Sequence, residues 1–136
     1  MARFLGQAWA TTGHQVVLGT RNPEQTRARE EWSGVDLALA AYPDLQGEVF
    51  VNATRGDASL AALQAVGPAL NGKVVIDTSN ALDSSRGFPP SLFVNDTESL
   101  AEQLQRAIPE ARLVKMFNTM APVSYTHLTL PTTPYV

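Results

Sequence analysis

Apolar positions alternate along the chain between helical spacing and short unbroken runs. From Ala2 to Thr12, Phe4, Leu5, Ala8 and Trp9 recur at helical spacing, and Gly13 follows where a left-handed C-cap belongs, which predicts one helix. Gln15 to Gly19 (QVVLG) is brief, valine-rich and preceded by glycine, which predicts a buried strand rather than more helix. Thr20, Arg21 and Asn22 follow it. Asn22 before Pro23 predicts a capped, more polar helix from Pro23 to about Trp32, ended by Gly34. Val35 to Ala40 is a weak strand candidate, and Glu48 to Ala53 (EVFVNA) a stronger one.

Asp57 is placed to cap a helix running to about Leu70 through Leu60, Leu63 and Val66, with Gly67 and Pro68 bending or breaking its last turn. Lys73 to Asp77 (KVVID) is again short and β-branched, and it ends in Thr78, Ser79 and Asn80 as the carboxyl end of a parallel strand does. Asn95 to Glu98 form a capping arrangement for a helix carrying Leu100, Leu104 and Ala107, which Pro109 limits before a strand over Arg112 to Phe117 (RLVKMF). The longest irregular stretch, Ser79 to Val94, is of a length that often carries function. Helices alternating with short buried strands predict an α/β layer fold with a parallel sheet and right-handed crossovers.

Composition narrows the chemistry. A chain of 136 residues, 44% apolar and 17% charged, fits one globular domain. Its net charge of -3 carries no basic excess, so neither nucleic acid nor an anionic membrane surface is an expected partner. With no Cys and two His, thiolate sites and multi-histidine metal centres are not expected. Met1 to Ala10 lacks the order of a signal peptide and no stretch reaches the length of a membrane span, so the cytoplasm is the expected location.

Both ends depart from a complete domain. The chain opens on a helix that no strand delivers, and in a dinucleotide fold the preceding piece is a strand and the turn G-x-G-x-x-G/A. Ala2 then stands at the last position of that turn and Met1 is an internal methionine; the alternative is a true start with an unusual N-terminal helix. Met116 to Val136 contains no Asp, Glu, Lys or Arg. Within it Val123 to Thr132 (VSYTHLTLPT) resembles the translation of a transposase adapter used for sequencing libraries, so residues 123–136 are expected to be a non-native tail. His127 lies in that tail and is given no role.

At the tip of the second strand of a dinucleotide fold, an acidic residue accepts from the ribose hydroxyls, whereas arginine accommodates a 2′-phosphate. Here Gly19-Thr20-Arg21-Asn22 offers a hydroxyl, a guanidinium and an amide without a carboxylate, which favours NADP over NAD; an ordinary loop and helix cap is the plain alternative. Later strands end in Asn52-Ala53-Thr54, Thr78-Ser79-Asn80 and Asn118-Thr119. Ligands of open α/β sheets bind beyond the carboxyl ends of strands, so these clusters are candidates for one crevice.

The segments AWATTGHQVVLGTRNPE, VFVNATRGDASLAAL, KVVIDTSNALD with the following GFPPSL, NDTESLAEQLQRAIPEARLVK and MFNTMAP resemble, in order and spacing, the coenzyme F-420-dependent NADP oxidoreductases. The likeness runs from Met1 to about Pro122. It implies that residues 1–122 are a partial NADP-binding domain, a doubly wound α/β Rossmann fold lacking its first strand and Gly-rich turn. It implies NADPH as cofactor, with Thr20, Arg21 and Asn22 at the 2′-phosphate. Ala53 and Thr54 are implied along the adenine-to-nicotinamide groove, Ser79 and Asn80 close to the nicotinamide, and Asn118 near a second, hydride-exchanging ring. That ring is the deazaflavin coenzyme F-420 or a similar acceptor. The implied reaction passes hydride between cofactors and needs no side-chain nucleophile, so no catalytic residue is named. Arg55 stands where the family tends to have proline. Without the phosphate loop and the C-terminal segments of the second ring's pocket, the fragment is expected to fold poorly and to be inactive. For the parent, a homodimer is an expectation, and the alternatives are a related reductase with another acceptor or an NADPH-sensing module without turnover.

Overall fold

The computed structural model describes residues 2–83, 85, 87, 90–94 and 97–119. Helix α1 (Ala2–Thr11) buries Leu5 and Gly6, and a Cβ at Gly6 would stand 3.2 Å from Leu37 Cδ1 and 3.3 Å from Leu18 Cδ2, so the helix rests close on the strands behind it. Gly13, at φ +91°, turns the chain out of the helix, as its position predicts. Strand β1 (Val17–Thr20) pairs in parallel with β2 (Ala38–Ala41), Val17 opposite Ala38, and the short helix α2 (Pro23–Arg27) lies between them in the chain.

A second parallel sheet has the order β3 (Val49–Asn52), β4 (Val74–Asp77), β7 (Arg112–Lys115). Between its last two strands the stretch read as irregular contains a short antiparallel hairpin, β5 (Leu82–Asp83) with β6 (Ser91–Leu92). Helix α3 (Gly56–Val66), a 3-10 turn over Gly67–Leu70 and helix α4 (Leu100–Ala107) complete the order. Parallel strands joined by helical crossovers, in the flanking orders β2-β1 and β3-β4-β7, are the Rossmann-type doubly wound α/β class that the alternation predicts.

The core lies on the three-stranded side. Leu63 and Val66 of α3, Leu70, Val75 of β4, and Leu100 and Leu104 of α4 form one buried cluster, with Val75 and Leu104 fully enclosed. Tyr42 and Leu45 pack against this cluster and also lie beside Gly19, which ties the two-stranded sheet to the core.

Several local expectations are corrected. The QVVLG strand is not buried: Val17 is 45% exposed and β1 has only β2 as a bonded neighbour among the described residues. The polar helix expected to reach Trp32 stops at Arg27, the end of α2, and gives way to a 3-10 turn over Glu30–Trp32. Residues 27–31 are all exposed, so no packing extends a helix whose own propensity is marginal at this length. Arg27 instead donates to the carbonyls of Val35 (2.8 Å) and Leu37 (2.5 Å), fixing the following loop. Asp57 does not cap α3. Arg55 is the residue before the helix and pairs with Asp57 at 2.8 Å, while Leu60 faces outward at 40% exposure. The cap of α4 is Ser99 rather than the Asn95 to Glu98 stretch, of which Asn95 and Asp96 lie outside the described residues. Strands β2 and β7 span Ala38–Ala41 and Arg112–Lys115, against the expected Val35 to Ala40 and Arg112 to Phe117. The 123–136 tail lies outside the described residues.

Candidate functional site

The carboxyl end of β1, the first turn of α1 and the start of α2 enclose a cavity of about 750 Å3. Ala2, Thr20, Arg21, Asn22 and Ala53 all line it, so the structure brings the residues assigned to the phosphates together with one of the two assigned to the adenine-to-nicotinamide groove. Their availability differs. Thr20 shares its hydroxyl with that of Thr26 at 2.8 Å, and Thr26 is buried, so part of its hydrogen-bonding capacity holds α2 against β1. Asn22 accepts from the Gln25 N–H at 2.9 Å as the N-cap of α2, leaving its amide donors for a ligand. Arg21 is exposed and makes no hydrogen bond or ion pair with another described residue.

Sequence reasoning missed Arg3 and Arg29, which line the same cavity. Arg3 donates to the Glu31 carbonyl and lies 4.9 Å from the Phe4 ring centroid, and Arg29 approaches the Glu31 carboxylate at 3.9 Å. Three guanidiniums against one carboxylate give the cavity a positive balance. The N-terminal turn of α1 adds its partial positive charge through Ala2. The signal for Arg3 was its place beside Ala2 in a helix's first turn; nothing in the pattern brought Arg29 into reach.

Thr54, Ser79, Asn80 and Asn118 do not line this cavity. They belong to a polar network that begins beside Ala53 and crosses the carboxyl ends of β3, β4 and β7. In parallel register Asn52 is opposite Asp77 and Asp77 opposite Lys115, so three polar side chains stand abreast on one face of the sheet. Asp77 is fully buried. Its Oδ1 accepts from Asn52 Nδ2 (2.8 Å), the Ser79 N–H (3.1 Å) and the Ser79 hydroxyl (2.7 Å), and its Oδ2 accepts from Lys115 Nζ (2.7 Å). Lys115 also donates to the Ser79 carbonyl. Asn52 donates to the Ser59 hydroxyl at 3.0 Å and accepts from the Thr54 hydroxyl at 2.6 Å, so Thr54 is anchored into the network.

Asn80 donates to the Asn118 carbonyl at 2.7 Å, and the Asn118 amide reaches Asn80 Oδ1 at 3.3 Å. Phe117, just before Asn118, has φ +63°, a left-handed conformation that is costly for a bulky side chain. Ser59, Asp77 and Lys115 were not recognised as site residues, although VVID and RLVK each end an apolar run on a polar residue; Asn52 was named only within the cluster that ends its strand. Asn52 also matches a glycosylation pattern, but its side chain is buried and fully engaged.

Among the described residues no cluster of His, Cys, Asp or Glu is arranged to hold a metal ion, and no helix is long and apolar enough to cross a membrane. A groove of about 730 Å3 along α4 reaches Arg112, at the opposite, amino end of β7, and shares no residue with the network.

Parallel α/β sheets with a basic cavity at the carboxyl end of β1 define the class: a Rossmann-type doubly wound fold. No family model and no curated protein matches the chain. Among solved structures it is 44% identical, with a TM-score of 0.83 over 90% of its length, to a protein from Arthrobacter sp. FB24 described as an F-420-dependent NADP-reductase. A hypothetical protein from Sinorhizobium meliloti shares the fold at 23% identity and a TM-score of 0.66 over 92% of the chain. The chain spans 60% and 58% of those two proteins. The similarity to the Arthrobacter protein agrees with the resemblance of the five segments to the F-420-dependent NADP oxidoreductases.

Proposed function

We propose that the chain is the NADP(H)-binding part of an oxidoreductase that passes hydride between NADPH and a deazaflavin, coenzyme F-420, or a similar acceptor. The observation that carries this reading is Arg21, an exposed and unengaged guanidinium at the tip of β1, in a cavity of about 750 Å3 without a carboxylate in the β1–α2 turn. The likeness to the Arthrobacter protein supports the choice of acceptor.

When bound, NADPH supplies the hydride. The chain's own residues bind and orient. Arg21 and the Asn22 amide receive the 2′-phosphate by charge-assisted contacts, with Thr20 completing the turn. Ala2, at the start of α1, presents backbone donors toward the pyrophosphate. Ala53 lies between the cavity and the polar network, and Thr54, Ser79, Asn80 and Asn118, at the ends of β3, β4 and β7, would lie on the side of the redox rings.

The full-length protein should bind NADPH in preference to NADH and oxidise NADPH steadily when a deazaflavin is added. Arg21→Ala should weaken NADPH by about tenfold or more, the worth of one charge-assisted contact, and leave NADH within about twofold. Titration calorimetry with both cofactors measures this, and equal losses would remove Arg21 from the phosphate site. Tight NADPH binding with no oxidation by any acceptor would instead favour a sensing module.

A further inference from the structure

The ion pair between the buried Asp77 and the partly exposed Lys115 is not accounted for by phosphate binding. Such a pair is a weak source of stability, since the attraction it gains is largely offset by removing the carboxylate from water. What distinguishes this pair is where its hydrogen bonds go. Asp77 accepts from the Ser79 N–H at 3.1 Å and from the Ser79 hydroxyl at 2.7 Å, while Lys115 donates to the Ser79 carbonyl. The backbone of one residue is therefore gripped from both sides by opposite charges that also bind each other at 2.7 Å.

The next residue, Asn80, is constrained again. Its carbonyl packs on Gly56 so closely that a Cβ there would collide with it, and its side chain is joined to Asn118 at 2.7 Å and 3.3 Å. Met116 N–H bonds the Asp77 carbonyl at 3.1 Å, and the left-handed Phe117 then directs the chain back to Asn118. The effect of the pair thus runs from Asp77 and Lys115 through Ser79 to the two asparagines beyond the carboxyl ends of β4 and β7.

We propose that Asp77 and Lys115 are positioning residues: by locking the Ser79 backbone they hold Asn80 and Asn118 as one fixed edge against which the hydride-exchanging ring is oriented. Neither side chain touches the cofactor. The inference rests on the function proposed above and adds to it the residues that set the ring's orientation.

The test uses Asp77→Asn, which keeps shape and removes charge, and Lys115→Met, which keeps the stem at a site 29% exposed and so tolerates change. In the full-length protein each variant should lower kcat per bound NADPH by about tenfold or more while NADPH affinity, read by titration, stays within about threefold. The double variant should be within about twofold of the worse single one, because the two groups act as a unit. Amide exchange at Ser79 and Asn80 should accelerate relative to Val75, and NADPH deuterated at the transferred position should show a larger isotope effect on kcat. Lys115→Arg should restore most of the rate. Unchanged exchange at Ser79 and Asn80, or turnover losses that only track unfolded protein with the isotope effect unaltered, would overturn the proposal. If the unaltered protein binds NADPH but reduces no deazaflavin, the functional reading fails, while the exchange at Ser79 and Asn80 still decides whether the pair positions this edge.

Discussion

Gly56 shows how tightly single residues are constrained beside the crevice. It is buried at the start of α3, and a Cβ at this position would meet the Asn80 carbonyl and carbon and come within 3.2 Å of Leu100 Cδ2. Backbone cannot yield as the end of a flexible side chain can. Gly56→Ala should therefore cost about 1–3 kcal/mol, the range for overpacking, as read from urea unfolding, and should shift the Asn80 and Asn118 amide resonances before those of distant residues. At this scale the sequence was readable where a residue's chemistry announces itself. Arg21 stands out at the end of an apolar run, and it lines one cavity with Thr20 and Asn22. Gly56, Asp77 and Lys115 were not readable, because their significance lies in contacts between residues far apart in the chain. Asp77 and Lys115 are 38 positions apart and meet only through strand register.

Helix α4 illustrates the element scale. Ser99 and Glu102 form a reciprocal capping box: the Ser99 hydroxyl accepts from the Glu102 N–H at 3.2 Å, and the Glu102 carboxylate accepts from the Ser99 N–H at 2.6 Å. The Ser99 backbone bond, then the Ser99 hydroxyl, hold the Glu102 carboxyl below its ordinary pKa, with Arg106 helping slightly. A depressed acid stabilises the fold above its unfolded pKa and loses that contribution as pH falls through the folded value. The helix should accordingly weaken under acid, from the ordinary carboxylate range downward, and Glu102→Gln should flatten that dependence in pH-resolved thermal melts. Ser99→Ala should cost about 1 kcal/mol at neutral pH. Leu104, fully enclosed on the inner face, should cost about 2–5 kcal/mol as Leu104→Ala. The existence and inner face of α4 were legible from Leu100 and Leu104, but its start was placed too early. Asn and Asp just upstream carry the same capping signal as Ser99, and only the hydrogen bonds distinguish them. The overlong α2 has the converse origin, a capped start at Asn22 with no apolar face to sustain further turns.

Across the whole molecule, helix–strand alternation gave the fold class because each segment's periodicity is local, whereas strand pairing is not. The described strands form two separate parallel sheets, and β1 and β3 each have one bonded neighbour. Their first residues are open to solvent, Val17 at 45% and Val49 at 55%, where a strand with neighbours on both sides of a doubly wound sheet is covered. In the 3-2-1-4-5-6 order one parallel strand lies between the strands in these two places, so each open edge is of a kind a central strand would satisfy. The consequence is unequal stability. The three-stranded side holds the enclosed Val75 and Leu104, while β1 and β2 contain no fully buried side chain and lean on the core through Tyr42 and Leu45. Native-state hydrogen exchange on this chain should find the amides of β1 and β2 opening at least about tenfold more often than those of β4, since opening free energy follows local burial. Heating should then separate two events, loss of β1–β2 before loss of the core. A single cooperative transition with equal protection in β1 and β4 would mean that Tyr42 and Leu45 couple the two sheets as strongly as shared strand hydrogen bonds would.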